Sequence, residues 1–384
     1  MQPADTTFHY RIGSVSKQIL AVTILHLVEN EILDLNDTIG KWLEPSLINE
    51  IPYSEQITIK HLLNHTSGIF SYTDDTQFLN ALLTDANASF TPDSLINIGV
   101  SQPPLFIPGN SWSYNNTGYV MLAKITEEAS GINYHQYATD SILTPANLFD
   151  TYFPTTNTIS TDHMRCYADF SEDGVLEDYT DVTETWAYGS GEIISTLEDQ
   201  LLYYNKLLDG EIISSASYDE LRTPFYPDPS FTYGLGTYII NNNLIGHPGL
   251  YFSTTGLWHF ENLDVLVAYQ FNLYDVPAFD LLEKIQAFLS SNNVSVSEEK
   301  LNSNKIISIY PNPASEKLTV ELTNMSGNKQ ICIYNTTGAL VEKRILKSKK
   351  EKFDIKHLKS GVYTVVIQSS DTVLDIGRIV ISNR

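Results

Sequence analysis

Ser14-Val15-Ser16-Lys17 places a hydroxyl and an amine three residues apart. On a helix that spacing puts both on one face, where they can meet. Serine attacks a carbonyl only when a neighbour takes its proton, and a lysine buried among apolar residues can do so because its ammonium form is disfavoured. By chance alone about one or two such matches are expected in this chain, and one is visible at Ser326-Gly327-Asn328-Lys329. The bland alternative makes Ser14 a helix N-cap and Lys17 a solvated first-turn residue. A second constellation is Tyr114-Asn115-Asn116, after the Pro108-Gly109 turn. A phenol can relay protons where an adjacent ammonium lowers its pKa, and Asn116 can bond a substrate amide or hold the lysine; a turn with a buried tyrosine and an asparagine cap is the plain alternative. The third is His247-Pro248-Gly249. His247 offers a polar or cationic contact and Gly249 lets a substrate backbone approach; an ordinary hairpin turn is the plain alternative.

These residues need elements to hold them. Val15 to Leu33 is apolar on nearly every side, predicting a helix within the core. Shorter helices are predicted over 57–64, 118–129, 197–208 and 279–289, each stopped by turn residues. Strands are predicted over 231–240, 251–260 and 265–271. Helices followed by consecutive antiparallel strands define an α+β domain over residues 1–290. Residues 291–303 are polar and lack aromatics, as a linker does. From 304 to 384, short alternating runs at 306–310, 318–322, 330–334, 362–368 and 376–381, with turns at Pro311-Asn312-Pro313, Thr337-Gly338 and Ser360-Gly361, predict a small β-sandwich.

Charge divides the chain at the same place. Residues 300–384 carry 14 basic and 7 acidic side chains, net +7, whereas residues 1–299 carry 9 and 39, net −30. So acidic a body repels phosphate backbones and argues against nucleic acid as a partner. The two cysteines, Cys166 and Cys332, fall on opposite sides of the break and read as free thiols. No apolar run approaches the ~20 residues of a membrane span. His61 and His65 stand four apart but without the glutamate of an H-E-x-x-H, and read as structural.

The order of the three constellations, with their flanks, resembles the penicillin-recognising serine hydrolases: class C β-lactamases, D-alanyl-D-alanine carboxypeptidases, D-aminopeptidases and related esterases. Tyr10 to Lys17 resembles "FRIGSVSK", His61 to Gly68 "LLxHTSG", Pro108 to Tyr119 "PGxxWxYSNxGY", and Ala187 to Asp199 "AAGGLVSTAED"; Tyr233 to Gly236 matches the strand before the H-x-G. The resemblance spans about residues 5–290. It implies a β-lactamase/transpeptidase-like fold, an antiparallel sheet flanked by helices. Ser14 becomes the acylated nucleophile, Lys17 and Tyr114 the proton-transfer groups with the choice of base open, and Asn116, His247 and Gly249 substrate contacts. The oxyanion hole becomes the backbone N–H groups of Ser14 and Leu250. Neither cofactor nor metal is implied. The expected reaction is hydrolysis of a small ester or amide, with D-amino-acid peptides among the candidates. A true β-lactamase and a catalytically silent protein of the same fold are the alternatives, the former weakened by His247 where β-lactamases carry lysine.

Only thirteen residues precede Ser14, where such proteins have a helix and two strands, and Gln2-Pro3-Ala4-Asp5 does not open a signal peptide. The expectation is a chain truncated upstream, whose sheet lacks its N-terminal strands and exposes an edge. Ile309 to Ala314, Ile333 to Gly338 and Leu358 to Tyr363 resemble the C-terminal sorting domain of the type IX secretion system of Bacteroidetes. That resemblance implies the secretion machinery as a partner through residues 304–384, and a secreted or surface-attached protein.

Overall fold

The computed structural model describes residues 5–227, 232–291, 307–310, 314–322, 329–335, 340–359, 361–369 and 372–381. The chain divides into two compact units, Met1–Ser295 and Val296–Arg384.

In the first unit the apolar helix runs Ser16–Glu29, preceded by a 3-10 turn at Gly13–Val15. Eleven of its residues, Ser16 to Leu25 and Leu27, are buried. Each large aliphatic side chain so removed from water stabilises the fold by roughly 1.5–3 kcal/mol. The helix stops four residues before the predicted Leu33. Glu31 turns left-handed (φ +57°), and the Ile32 and Glu31 N–H groups donate back to the Leu27 and Val28 carbonyls. That is the Schellman geometry with glutamate in the usual glycine position. Helices Ile59–Leu63, Asn116–Ser130 and Leu197–Leu208 lie within a few residues of their predicted spans, N-capped by Thr58, Asn115 and Thr196. The closing helix is Ala278–Ser291.

The main sheet is a meander of six antiparallel strands whose spatial order follows the chain: Tyr226–Pro227, Thr232–Tyr233, Tyr238–Ile240, Leu244–Leu250, Thr254–Phe260 and Val265–Phe271. The last pairs only with Thr254–Phe260 among the described residues. The predicted strand 231–240 is two short strands. The N–H groups of Leu235 and Gly236 between them donate to the Leu221 and Leu63 carbonyls instead of a sheet neighbour. Phe231 lies outside the described residues.

Leu244–Leu250 was hidden by its glycines and proline. Its pairing with Tyr238–Ile240 ends at Gly246, so among the described residues His247 to Leu250 pair as a strand only with the Thr254–Leu257 side. Pro248, lacking an N–H, is tolerated where the second edge is open.

The second unit holds a three-stranded sheet (Ile307–Tyr310, Lys317–Leu322, Lys350–Asp354) and a four-stranded one (Leu340–Leu346, Lys329–Asn335, Gly361–Ser369, Thr372–Ile381). One apolar cluster draws Leu318, Val320 and Phe353 from the first and Ile331, Val365 and Ile379 from the second. Leu340–Leu346 and Lys350–Asp354 were not predicted. Both are edge strands, where Lys and Glu replace apolar alternation. The predicted turns at 311–313, 337–338 and 360, residues 292–303 of the linker, and Ser326 to Asn328 lie outside the described residues. Both cysteines are buried and unpaired. No helix among the described residues is long and apolar enough to cross a membrane.

Candidate active site

Ser14 sits in the 3-10 turn that feeds the buried helix, and Lys17 in its first turn. Lys17 Nζ donates to Ser14 Oγ at 3.1 Å and to the Ser190 carbonyl at 2.6 Å. The capping alternative fails at both residues. The helix N-cap position is Val15 with no side-chain cap bond, and Lys17 is 0% exposed. Burial drives the Lys17 ammonium well below its usual pKa, against an opposing pull from the Glu192 charge. A neutral amine can accept a proton, so the pair has the physical requirements of nucleophile and base.

Gly13 makes the neighbouring contact. Its backbone is left-handed (φ +52°), and a Cβ there would lie 2.7 Å from both N and O of Leu250. Without a side chain at Gly13, the Leu250 peptide comes directly alongside the turn that carries Ser14.

Tyr114 precedes the helix Asn116–Ser130. Its ring lies 4.4 Å from that of His65, and Lys17 Nζ stands 5.0 Å above the Tyr114 ring centroid. The segment is clamped through Asn115. The Asn115 backbone N–H donates to His65 Nδ1 (3.1 Å), and its side chain bonds Gly118 N and the Ile69 carbonyl. The Tyr114 hydroxyl is buried and has no hydrogen bond of good geometry. Burial raises it well above the ordinary phenol pKa, a rise the Ser14 hydroxyl opposes. The expected lowering by an ammonium is not found, and burial disfavours the ammonium form of Lys17 as well. Asn116 donates through Nδ2 to Thr73 Oγ1 at 2.9 Å, and its N–H bonds Ser71 Oγ.

His247 departs most from expectation. Its ring is 1% exposed and turned inward. Nδ1 donates to the Pro248 carbonyl and Nε2 accepts the Tyr233 hydroxyl at 2.9 Å, a neutral tautomer assigned from these partners. Burial first, then Lys17, pushes its pKa down to about 3, so the cationic option is excluded. Gly249 is packed tightly within the chain. A Cβ there would meet the Ile12 carbonyl oxygen at 2.2 Å and Thr255 Cγ2 at 2.5 Å. The space at its Cα is taken up by the protein's own Ile12 and Thr255. Gly249→Ala is expected to destabilise the first unit by about 2–4 kcal/mol, since a backbone carbonyl cannot step aside. A thermal midpoint equal to wild type would contradict this packing.

His61 and His65 are spent on the fold. His61 Nδ1 accepts the Thr58 N–H in a capping box, and His65, left-handed at φ +63°, orients Asn115. Sequence reasoning missed Ser190, whose contribution is a main-chain carbonyl, and Glu192, an acid inside an apolar stretch. It also missed Tyr233, quoted only as part of a flanking motif. The one available signal was Glu192, a charge where the matched motif is uncharged.

A serine–lysine pair at the mouth of a buried helix, beside an antiparallel sheet whose inner strand carries H-P-G, defines a class of protein. Residues 1–289 match the beta-lactamase family model, and the chain belongs to that family. Residues 308–382 match the secretion system C-terminal sorting domain, which indicates export by the type IX route. A penicillin-binding protein of Bacillus subtilis is 32% identical over 266 residues, 65% of this chain and 57% of that protein's length. A D-stereospecific amidohydrolase of Streptomyces is 28% identical with a TM-score of 0.65, covering 70% of this chain and 83% of its own. The D-amino acid amidase of Ochrobactrum anthropi, 23% identical with a TM-score of 0.65 over 77% of this chain and 87% of its own, shares the fold.

Proposed function

We propose that this chain is a serine hydrolase that cleaves a small ester or amide through an acyl-enzyme on Ser14. The observation that carries the reading is the 3.1 Å contact between Ser14 Oγ and a fully buried Lys17 amine. In acylation Lys17 takes the Ser14 proton as Oγ bonds the substrate carbonyl carbon. The Ser14 and Leu250 N–H groups receive the oxyanion. As the tetrahedral intermediate collapses, the carbonyl–leaving-group bond breaks and the departing atom takes a proton from Tyr114, which Lys17 replenishes. Water then repeats the sequence on the ester, returning free Ser14 and a carboxylic acid. Lys17 is the base rather than Tyr114, because burial favours the neutral amine and disfavours the phenolate. Asn116 and the strand segment His247 to Gly249 border the acyl group, His247 indirectly through its Tyr233 bond.

The D-stereospecific relative supports D-amino-acid amides and esters as substrates, and the penicillin-binding relative supports reaction with β-lactams as acylating probes. Residues 1–290 form the hydrolase, 291–303 a linker and 304–384 the sorting domain that engages the type IX machinery. The enzyme acts outside the cell or at its surface.

Incubating the chain with a D-phenylalanine ester or a fluorescent penicillin and recording intact mass tests this. An acyl adduct mapped to the Ser14 peptide, absent from Ser14→Ala, is the expected result. No adduct from any acyl donor, with the chain folded, would favour a silent protein of the same fold.

A further inference from the structure

Glu192 is 1% exposed and lies outside the three motifs. Its Oε1 accepts the Gly189 N–H at 2.8 Å and its Oε2 the Gly191 N–H at 3.2 Å. The Gly191 N–H and the Ser190 carbonyl belong to one peptide group. That carbonyl takes the 2.6 Å hydrogen bond from Lys17 Nζ. A trans peptide is planar and points its N–H and C=O in opposite directions. One rigid amide therefore bridges the carboxylate on one side and the lysine on the other. A negative charge against the N–H polarises the amide and strengthens its carbonyl as an acceptor.

We propose that Glu192 is a positioning residue for the Lys17 amine, acting through the Ser190–Gly191 peptide group. The proposal rests on the serine-hydrolase reading above. The loop has a second brace on its far side, where Ser190 Oγ meets the Tyr72 hydroxyl at 3.0 Å. The groups facing Glu192 are His135, whose Nε2 is 3.3 Å from Oε1 without hydrogen-bond alignment, and the phenols of Tyr72, Tyr134 and Tyr188, which burial first and its charge in addition push up. Around Lys17 stand Tyr114, Tyr119, His65 and His247. Glu192 supplies the charge that opposes burial at Lys17. Two effects follow from it: the carbonyl holds the amine against Ser14, and the carboxylate keeps the lysine from titrating lower still.

The test is the pH profile of kcat/KM, with kcat and KM resolved separately, on a chromogenic D-amino-acid ester. Active sites are counted by penicillin titration. Glu192→Gln keeps the shape, removes the charge and sets an NH2 against one N–H. Its acid limb is expected to move down by about one pH unit and its kcat to fall about tenfold. Glu192→Asp retains the charge, so its limb stays within about 0.3 unit of wild type. Being shorter, it cannot hold both N–H groups, and its kcat falls at least about threefold at unchanged KM. Wild-type kcat and acid limb in Glu192→Gln overturn the proposal. Should that variant fail to fold, wild-type kcat in Glu192→Asp overturns it equally. Ser14→Ala separates the two readings: if it is inactive while Glu192→Gln behaves as wild type, only the role of Glu192 falls. If Ser14→Ala stays active, both fall.

Discussion

Replacing Lys17 with methionine is expected to lower kcat/KM by about 10³-fold or more while raising the thermal midpoint of the first unit. The two effects have one cause. Lys17 is fully buried and its ammonium is disfavoured there, so folding removes a proton that the unfolded chain holds. For a lysine whose folded pKa is depressed, the penalty is absent above the unfolded value. It grows as pH falls from there toward the folded value, so the residue destabilises at neutral pH. Methionine fills nearly the same volume without that penalty. Against the gain stands the Ser190 carbonyl, which loses its donor at a cost of about 1 kcal/mol. The net gain is expected at about 1 kcal/mol at pH 7, shrinking as pH approaches 10. Activity moves the other way, because Ser14 then has no base within reach. Thermal melts at pH 7 and 9.5 beside ester turnover check both halves. A variant that loses activity but melts lower at pH 7 would mean that Lys17 is a structural cation.

That prediction was half legible in the sequence. The spacing of Ser14 and Lys17 and the apolar run after them announce a buried amine beside a hydroxyl, because i, i+3 geometry is local. The end of the helix at Glu29 was not legible, since the left-handed residue that stops it is a glutamate rather than a glycine. Nor was the direction of His247, which depends on strand register. Its strand, with two glycines and a proline, does not read as a strand in the sequence, so no face could be assigned, and in the structure the face is the inner one. The close approach of Gly249 to Ile12 within the same chain was not legible either, because it is set by tertiary packing. Ser190 acts through its backbone carbonyl, and no residue type encodes that. In the second unit the missed strands lie at sheet edges, where charge that prevents edge pairing also erases the alternation by which strands are read.

Tyr114→Phe separates the roles of base and relay. Burial favours the neutral phenol, which stands near the Ser14 hydroxyl, and in the proposed mechanism it is the proton donor. Its loss is expected to lower kcat on an amide by about 10²–10³-fold, because an amine leaving group must be protonated as it departs. On a p-nitrophenyl ester, whose leaving group departs as a stable anion, the loss is expected to be about tenfold or less. The acid limb of kcat/KM stays where wild type has it, since Lys17 titrates there and its Ser14 and Ser190 contacts are untouched. The hydroxyl removed is buried without a well-formed hydrogen bond, so the variant gains roughly 1 kcal/mol of stability. An acid limb that disappears in Tyr114→Phe, with equal losses on amide and activated ester, would transfer the role of base to the phenol. Equal losses with the limb in place would instead make Tyr114 a wall of the site. Only the combination of a leaving-group-dependent loss, an unmoved limb and a higher melting point fits a neutral phenol beside a lysine base.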